Sequence, residues 1–275
     1  MTATLLKKQN CLRTFLFLSA TLIAGALTAS AQTFFQPGNL VVSRSTYDNN
    51  PNNVQVGQIL PPNCAQTTGS CAGAATNNGI YPMVFNNALV DGSFGITSAI
   101  YLDQYTTGGS LVNTLQVPNT RSIGNALLGD QLVTSFSSKS ELALNLSLDG
   151  QYLTFMGYVS GTDNLDVSNS STNQVVDPTN PVGLSYYRAV AQVDVNGNTH
   201  FTVTNAYSGN NGRAAILNNI DGGDFYYTAG NAGNGANPQP DGIIIGAGAQ
   251  FITPLMQSEV SQTPAGMPTP LASFN

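Results

Sequence analysis

The sequence predicts an all-β protein made of repeated antiparallel units, and three observations lead to that fold class. Only 8 % of the residues are charged, against about a quarter in an ordinary soluble domain, while 41 % are hydrophobic. The chain contains 28 Gly and 14 Pro, residue types that are frequent in turns. Its apolar residues alternate in short runs, and no segment has the long 3.6-residue periodicity of an amphipathic helix. The predicted helix content is therefore very low.

The first 31 residues have the three-part layout of a secretory signal peptide. A basic start, with Lys7, Lys8 and Arg13, precedes the apolar stretch 14–27, and the small-x-small sequence ASA follows at 29–31. The alternative is a transmembrane anchor, but the stretch is shorter than the roughly 20 apolar residues that a spanning helix needs. We therefore expect cleavage after the ASA sequence and export to the periplasm or the extracellular space.

Removal of the signal peptide would leave an acidic chain. The three basic residues of the first 31 would be lost and no acid with them, so the net charge of −6 at pH 7 would become −9 for residues 32–275. Nucleic-acid binding needs clustered Lys and Arg, and anionic membrane surfaces attract the same residues. The composition therefore argues against nucleic-acid and membrane partners, and no further apolar run is long enough to span a membrane.

Two cysteines, Cys64 and Cys71, remain in the exported part. An oxidising compartment favours a local disulfide between them, which would close the Pro-, Asn- and Gly-rich loop 49–79. The alternative is a metal site, but zinc usually takes four Cys or His ligands, and the one histidine, His200, is distant in sequence.

Alternating apolar residues around short turns predict a series of β-hairpins. In segment 140–158, four leucines alternate before Asp149-Gly150, a dipeptide typical of tight hairpin turns. Segments 188–207 and 212–230 have the same pattern around an Asn-Gly and an Asp-Gly pair. We expect each of these segments to form two antiparallel strands.

An internal repeat relates two groups of these strands. When Asp149 is placed over Asp221, the flanking apolar positions coincide, and the strands that end in Asp103 and Asp194 also correspond. Each unit then has four antiparallel strands, which is the make-up of a β-propeller blade.

The predicted β-propeller-like domain covers residues 32–255. Its complete units span about 96–158 and 188–230, a third unit starts near Asp241, and the Pro-containing tail 256–275 follows without a predicted finishing strand. A closed propeller needs at least four blades, so we expect an incomplete ring in this chain. Either the chain is a fragment of a longer product, or it closes in another way.

The stretches LSLDGQYLTFMGY, YLDQYTTGGSL and GNLVVSRS resemble a poorly characterised group of secreted bacterial β-propeller proteins. The resemblance covers most of residues 36–255, and its motifs are patterns of strands and Asp-Gly turns. It implies a radial ring of four-stranded blades, and it brings no family-wide activity to this chain.

The sequence offers few groups for catalysis, and we predict no catalytic residues. Ser-His-Asp catalysis needs a histidine beside an exposed serine, but His200 lies within a predicted strand. Acidic residues recur beside turns, where Asp commonly shapes the backbone, although two of them in a glycosidase-like pair remain the alternative. These residues are Asp103, Asp149, Asp194, Asp221 and Asp224.

The oxygen-rich loop 161–177 is the candidate for a cation site. Asp163, Asp166 and Asp177 supply the carboxylate oxygens that Ca²⁺ prefers. Their spacing matches no EF-hand consensus, so a solvated loop without metal is the alternative, and no other cofactor is predicted.

The function predicted from these observations is that of an exported, non-catalytic binding or surface protein. Its partner would be a polar polymer or another protein, and the tyrosine pairs 186–187 and 226–227 would suit such contacts. Strand alternation, however, places one member of each pair inside a sheet. The alternative is a secreted hydrolase or lyase that uses carboxylates on a polysaccharide or a lactone. A cluster of carboxylates or a bound metal at a central channel would distinguish the two.

Overall fold

The protein is an all-β structure in the computed structural model, and more than half of the residues that the model describes lie in strands or bridges. The described residues are 33–45, 97–119, 131–135, 142–164, 167–172, 185–220, 223–230, 241–248, 250 and, for the backbone alone, 272–274. The helical structure among them is a three-residue 3₁₀ turn, Val167–Asn169. Within these ranges no helix has the length and apolar character needed to cross a bilayer.

Twelve strands occur in the described residues, and they form two antiparallel sheets. They are β1 (Leu40–Ser45), β2 (Thr97–Tyr105), β3 (Leu111–Gln116), β4 (Val133–Ser135), β5 (Asn145–Leu146), β6 (Tyr152–Tyr158), β7 (Arg188–Asp194), β8 (Thr199–Thr204), β9 (Gly212–Asn218), β10 (Phe225–Gly230), β11 (Gly242–Gly246) and β12 (Ala272–Phe274).

The larger sheet contains β1 to β8, and most of its strand pairings involve β2 or β6. Strand β2 pairs with β1 and β3 over nearly the same residues and with β4 at its N-terminal end. Strand β6 pairs with β4 and β5 through its two ends and with β7 along its full length, and β8 follows β7. The short β4 therefore joins the two halves of this sheet.

The hairpins predicted around Asp149-Gly150 and Asn196-Gly197 are both present, as β5–β6 and β7–β8. Gly150 has a φ of 74° and Gly197 a φ of 85°, a left-handed conformation that glycine adopts without steric cost. The Asp-Gly and Asn-Gly pairs locate these turns correctly because the turns require that conformation.

The smaller sheet is a four-stranded meander in the order β9-β10-β11-β12. Its β9–β10 hairpin has the register of the β5–β6 hairpin. Asn218 pairs with Phe225, and the residues that the sequence repeat aligns with them, Leu146 and Leu153, pair with each other. The turn residues 221–222 lie outside the described ranges.

Strands β6 and β7 are buried on both faces because each face meets a different hydrophobic core. Phe155 of β6 and Ala191 of β7 lie in the first core, which β2 and β8 also help to form. Met156 and Val190 belong to the second core, together with Leu217 and other residues of the smaller sheet. Successive side chains of a strand point to opposite faces, so the continuous burial of β6 and β7 reflects a layer on each side.

Two isolated β-bridges connect the larger sheet and its flanking residues to the smaller sheet and its flanking residues. Ala143 forms a parallel bridge with Ala214, and Thr204 forms one with Gln250. Neither bridge extends into a ladder, so the described strands form two packed sheets and not one closed sheet.

Two features differ from the sequence-based expectations. The segment 188–230, predicted as one unit, divides between the sheets, since β7 and β8 lie in the larger one and β9 and β10 in the smaller one. The chain changes sheet in the buried segment 205–211, where Tyr207 has a left-handed φ of 61°. The tail 256–275, predicted to lack a finishing strand, provides β12, which covers the outer backbone edge of β11.

Several predictions concern residues outside the described ranges. These residues are the signal peptide 1–31, the pair Cys64 and Cys71, and the second Asp-Gly turn at 221–222. Export, the disulfide and the radial arrangement of blades stay predictions.

Candidate functional site

An open groove of about 400 Å³ lies at one end of the first core. Four apolar side chains that belong to that core or pack on it also line the groove: Phe35, Val41, Leu153 and Val193. Its polar lining residues include Gln36, Asn39, Gln151 and Asp194, and none of the described residues that line it is Lys, Arg or His. A volume of about 300–1,000 Å³ with an apolar floor and a few polar groups is typical of ligand sites.

Three segments of the chain meet to form this groove: 35–41 before and within β1, 146–153 around the β5–β6 turn, and 193–195 at the end of β7. The last two are adjacent because β6 and β7 pair along their length. The first is attached to β7 by the main-chain N–H of Phe35, which donates to the carbonyl of Val195 at 2.9 Å.

Gln104 of β2 holds the segment before β1 in place. Its side chain is fully buried, and its Oε1 accepts hydrogen bonds from the main-chain N–H of Gln36 and from Nδ2 of Asn39, the latter at 3.2 Å. Its Nε2 donates to the carbonyl of Phe34 at 3.1 Å and to Oδ1 of Asn113 at 2.9 Å. The amide is thus satisfied at both ends, as buried polar groups usually are, and one wall of the groove depends on it.

Asp194 is the acidic residue among the described residues that line the groove. Its Oδ1 accepts the main-chain N–H groups of Asn196 and Asn198, both at 2.8 Å, and its Oδ2 accepts Nδ2 of Asn198 at 2.8 Å. Partial burial raises the pKa of Asp194, but these hydrogen bonds outweigh it, and the pKa lies below its ordinary value. The rim therefore carries a negative charge at neutral pH.

Asp103 does not line the groove and instead links three strands. Nε of Arg44 on β1 lies 2.6 Å from its Oδ2, and Oγ1 of Thr114 on β3 donates to its Oδ1 at 2.7 Å. The guanidinium of Arg44 also lies over the ring of Tyr101, 4.5 Å from the ring centroid. The hydrogen bond from Arg44 is the main cause that lowers the pKa of Asp103, against the opposing effect of burial.

Asp149 shapes the β5–β6 turn. Oγ of Ser147 donates to its Oδ1 at 2.6 Å, and the main-chain N–H of Gln151 donates to the same oxygen at 3.0 Å. The hydrogen bond from Ser147 is the main cause that lowers the pKa of Asp149. The predicted acidic set is therefore distributed: Asp103 lies within β2, Asp149 in a turn and Asp194 at the end of β7.

The histidine and the tyrosine pairs follow the strand pattern with one exception. His200 lies within β8, as predicted, and is exposed. Tyr226 is buried while Tyr227 is 40 % exposed, which agrees with alternation. Tyr186 and Tyr187 are both buried, so the prediction of one inward tyrosine is wrong for this pair. They pack in different hydrophobic clusters, since the chain is covered on both sides there.

Of the calcium candidates, Asp163 is described, while Asp166 and Asp177 fall outside the described ranges. The main-chain N–H of Asp163 donates to the carbonyl of Thr97 at 2.9 Å, and its φ is 65°. Within the part of the chain that the structure describes, no three His, Cys, Asp or Glu side chains come together in a metal-binding group.

Neither Gln104 nor the groove that it supports was predicted from the sequence, although one signal was present. Ile100, Leu102 and Gln104 alternate along β2, so Gln104 occupies an inward position where an amide needs hydrogen-bond partners. One of those partners, Gln36, lies 68 positions earlier in the chain, and a local pattern cannot identify it.

No protein-family model, curated protein or solved structure matches this chain. Its function is therefore inferred from the geometry and the charges of the groove.

Proposed function

We propose that this chain is an exported, non-catalytic binding protein that holds its ligand in the groove formed by segments 35–41, 146–153 and 193–195. The observation that carries the proposal is the apolar floor. Among the described residues, Leu146 is 55 % exposed and Val41 and Leu153 are half-buried where they line the groove, so apolar surface borders open space there. Apolar surface that is accessible and bordered by polar groups is typical of binding sites.

Three of the described carboxylates favour binding over the alternative of a hydrolase or lyase. A general acid needs a carboxyl pKa raised towards the working pH, whereas the pKa values of Asp103, Asp149 and Asp194 are all lowered. Each of these aspartates also accepts hydrogen bonds that fix a turn or link strands. A carboxylate pair of the glycosidase type would use one acid with a raised pKa.

Export belongs to this proposal. The basic start, the apolar stretch and the ASA sequence favour cleavage before Gln32. Edman sequencing of the exported protein should therefore begin at Gln32, and an N-terminus at Met1 would contradict the proposal.

We also propose that the meander β9–β12 is a blade-type unit and that the β5–β6 hairpin corresponds to its first half. The equal register of the β5–β6 and β9–β10 hairpins supports this correspondence. Superposition of 140–158 on 212–230 in a crystal structure should overlay the strands. A helix or a shifted register in either segment would reject it.

The groove proposal is tested by a binding screen that also measures turnover. Protein comprising residues 32–275 is screened against polysaccharides, lactones and a peptide library, with and without Ca²⁺. Leu146 lines the groove and Leu148 does not, although they are 55 % and 51 % exposed, so Leu146→Arg and Leu148→Arg form a matched pair. We expect Leu146→Arg alone to abolish binding.

Two results would overturn the proposal. Equal effects of the two leucine variants would show that binding takes place elsewhere. Turnover of any substrate that disappears in Asp103→Asn or Asp194→Asn, with folding intact by circular dichroism, would establish a catalytic function.

A further inference from the structure

We propose that the groove takes an extended peptide segment in which a large apolar side chain lies next to a lysine or arginine. The apolar side chain would contact Val41, Leu146 and Leu153, which line the groove and are half-buried or exposed, and the cation would lie beside Asp194. This inference rests on the proposed binding function and names the class of partner.

The aromatic residues of the groove favour a peptide over a carbohydrate. Sugars stack their apolar faces on exposed aromatic rings, whereas Phe35 is only 9 % exposed, and its ring meets that of Phe34 edge-on at a centroid distance of 5.1 Å. Tyr152 lines the groove, but its side chain packs against the second core. The floor is thus a recess bordered mainly by aliphatic groups, which suits a single apolar side chain.

Two glycines leave room for a peptide backbone at the walls. A Cβ atom on Gly38 would meet nothing within 4 Å, and one on Gly150 would meet only Cδ2 of Leu146, at 3.9 Å. Glycine at such places lets another main chain approach closely. The two glycines lie on different walls, in the segment before β1 and in the β5–β6 turn.

The charge of the groove favours a basic peptide. The hydrogen bonds that Asp194 accepts come from neutral amide groups, so they hold the carboxylate without cancelling its charge. Among the described residues that line the groove there is no Lys, Arg or His, and residues 32–275 carry a net charge of −9 once the three basic residues of the first 31 are subtracted from −6. Complementary charge steers and orients such partners.

The test uses three matched sets of acetylated and amidated hexapeptides, measured by fluorescence polarisation with protein comprising residues 32–275. The first set has Leu or Phe next to Lys, the second has the same apolar residue next to Glu, and the third has Ser next to Lys. We expect the first set to bind at least tenfold more tightly than either of the others.

Variants at the rim test whether binding depends on the charge of the groove and not only on its shape. Asp194→Asn keeps the oxygen that accepts the turn N–H groups, so it should weaken binding of the Lys set about tenfold while the fold is retained. Gln151→Lys, at an exposed lining position, adds an opposing charge without using the aspartate and should have a similar effect. Leu148→Arg should have none.

The outcomes distinguish this inference from the groove proposal. Equal binding of the Lys and Glu sets, or unchanged binding in both rim variants, would overturn the basic-peptide inference. Binding of a polysaccharide that Leu146→Arg abolishes, without binding of any peptide, would also overturn it while leaving the groove proposal in place. If no probe depends on the groove, both proposals fail.

Discussion

Replacement of Gln104 by leucine should release the segment that forms one wall of the groove. The glutamine is fully buried and makes four hydrogen bonds. In Gln104→Leu, the main-chain N–H of Gln36 loses its acceptor and Asn113 loses a donor, while the half-buried Asn39 can turn towards water. A buried polar group without a partner costs about 1–3 kcal/mol. Because Gln36 and Asn113 are only half-buried, the expected loss in the free energy of unfolding is about 2 kcal/mol for the two groups together.

Urea unfolding measures this loss. The chain has no Trp and 11 Tyr, so far-UV circular dichroism or tyrosine fluorescence follows the transition, and the midpoint should fall with little change in slope. Hydrogen exchange should also accelerate at the amide of Phe35, which is bonded to Val195.

The matched control is Gln116→Leu, at an exposed position of β3. Its free energy of unfolding should stay within about 0.5 kcal/mol of the wild type. Equal stabilities of the Gln104→Leu and Gln116→Leu variants, with the Phe35 amide still protected, would refute the reasoning.

Three further predictions follow from other parts of the chain. The pKa of Asp103 is lowered in the folded state. The contribution of Asp103 to the free energy of unfolding is therefore fully present above its unfolded pKa of 3.8 and is lost as the pH falls through its folded pKa. Asp103→Asn should thus cost about 1 kcal/mol at neutral pH, and urea titrations should find that difference shrinking in acid. Gly157→Ala should cost about 2 kcal/mol, because its Cβ would lie 2.7 Å from a main-chain oxygen of β4. Gly246→Ala, whose Cβ would meet nothing within 4 Å, should leave the melting temperature nearly unchanged. Thiol titration of denatured, unreduced protein should find no free thiol at Cys64 or Cys71, and two thiols would contradict the disulfide.

The hairpins could be predicted from the sequence because their determinants are local. Asp149-Gly150 and Asn196-Gly197 provide the left-handed turn glycines, and the alternating residues beside them fix which side chains share a face. The very low helix content followed from the same patterns.

The arrangement of the hairpins could not be predicted in the same way. The alternation within β7 and β8 is compatible with any neighbouring strand, and a pairing as small as that of Val133 with Tyr158 joins the halves of the larger sheet. The groove depends on a buried glutamine whose partners are main-chain groups and amides. Hydrophobic periodicity can place Gln104 on the inward face of β2, but it cannot identify these partners.

Strands β6 and β7 contribute to both hydrophobic cores, and this has a consequence for cooperativity. Phe155 and Met156 are neighbours in sequence but stabilise opposite sides of the same sheet, so loss of either core would remove the support of the other. We therefore expect the described unit to melt in one transition. A ligand bound beside the first core would then raise the melting temperature of the meander β9–β12 as well, by mass action on a shared equilibrium, although the ligand never contacts it.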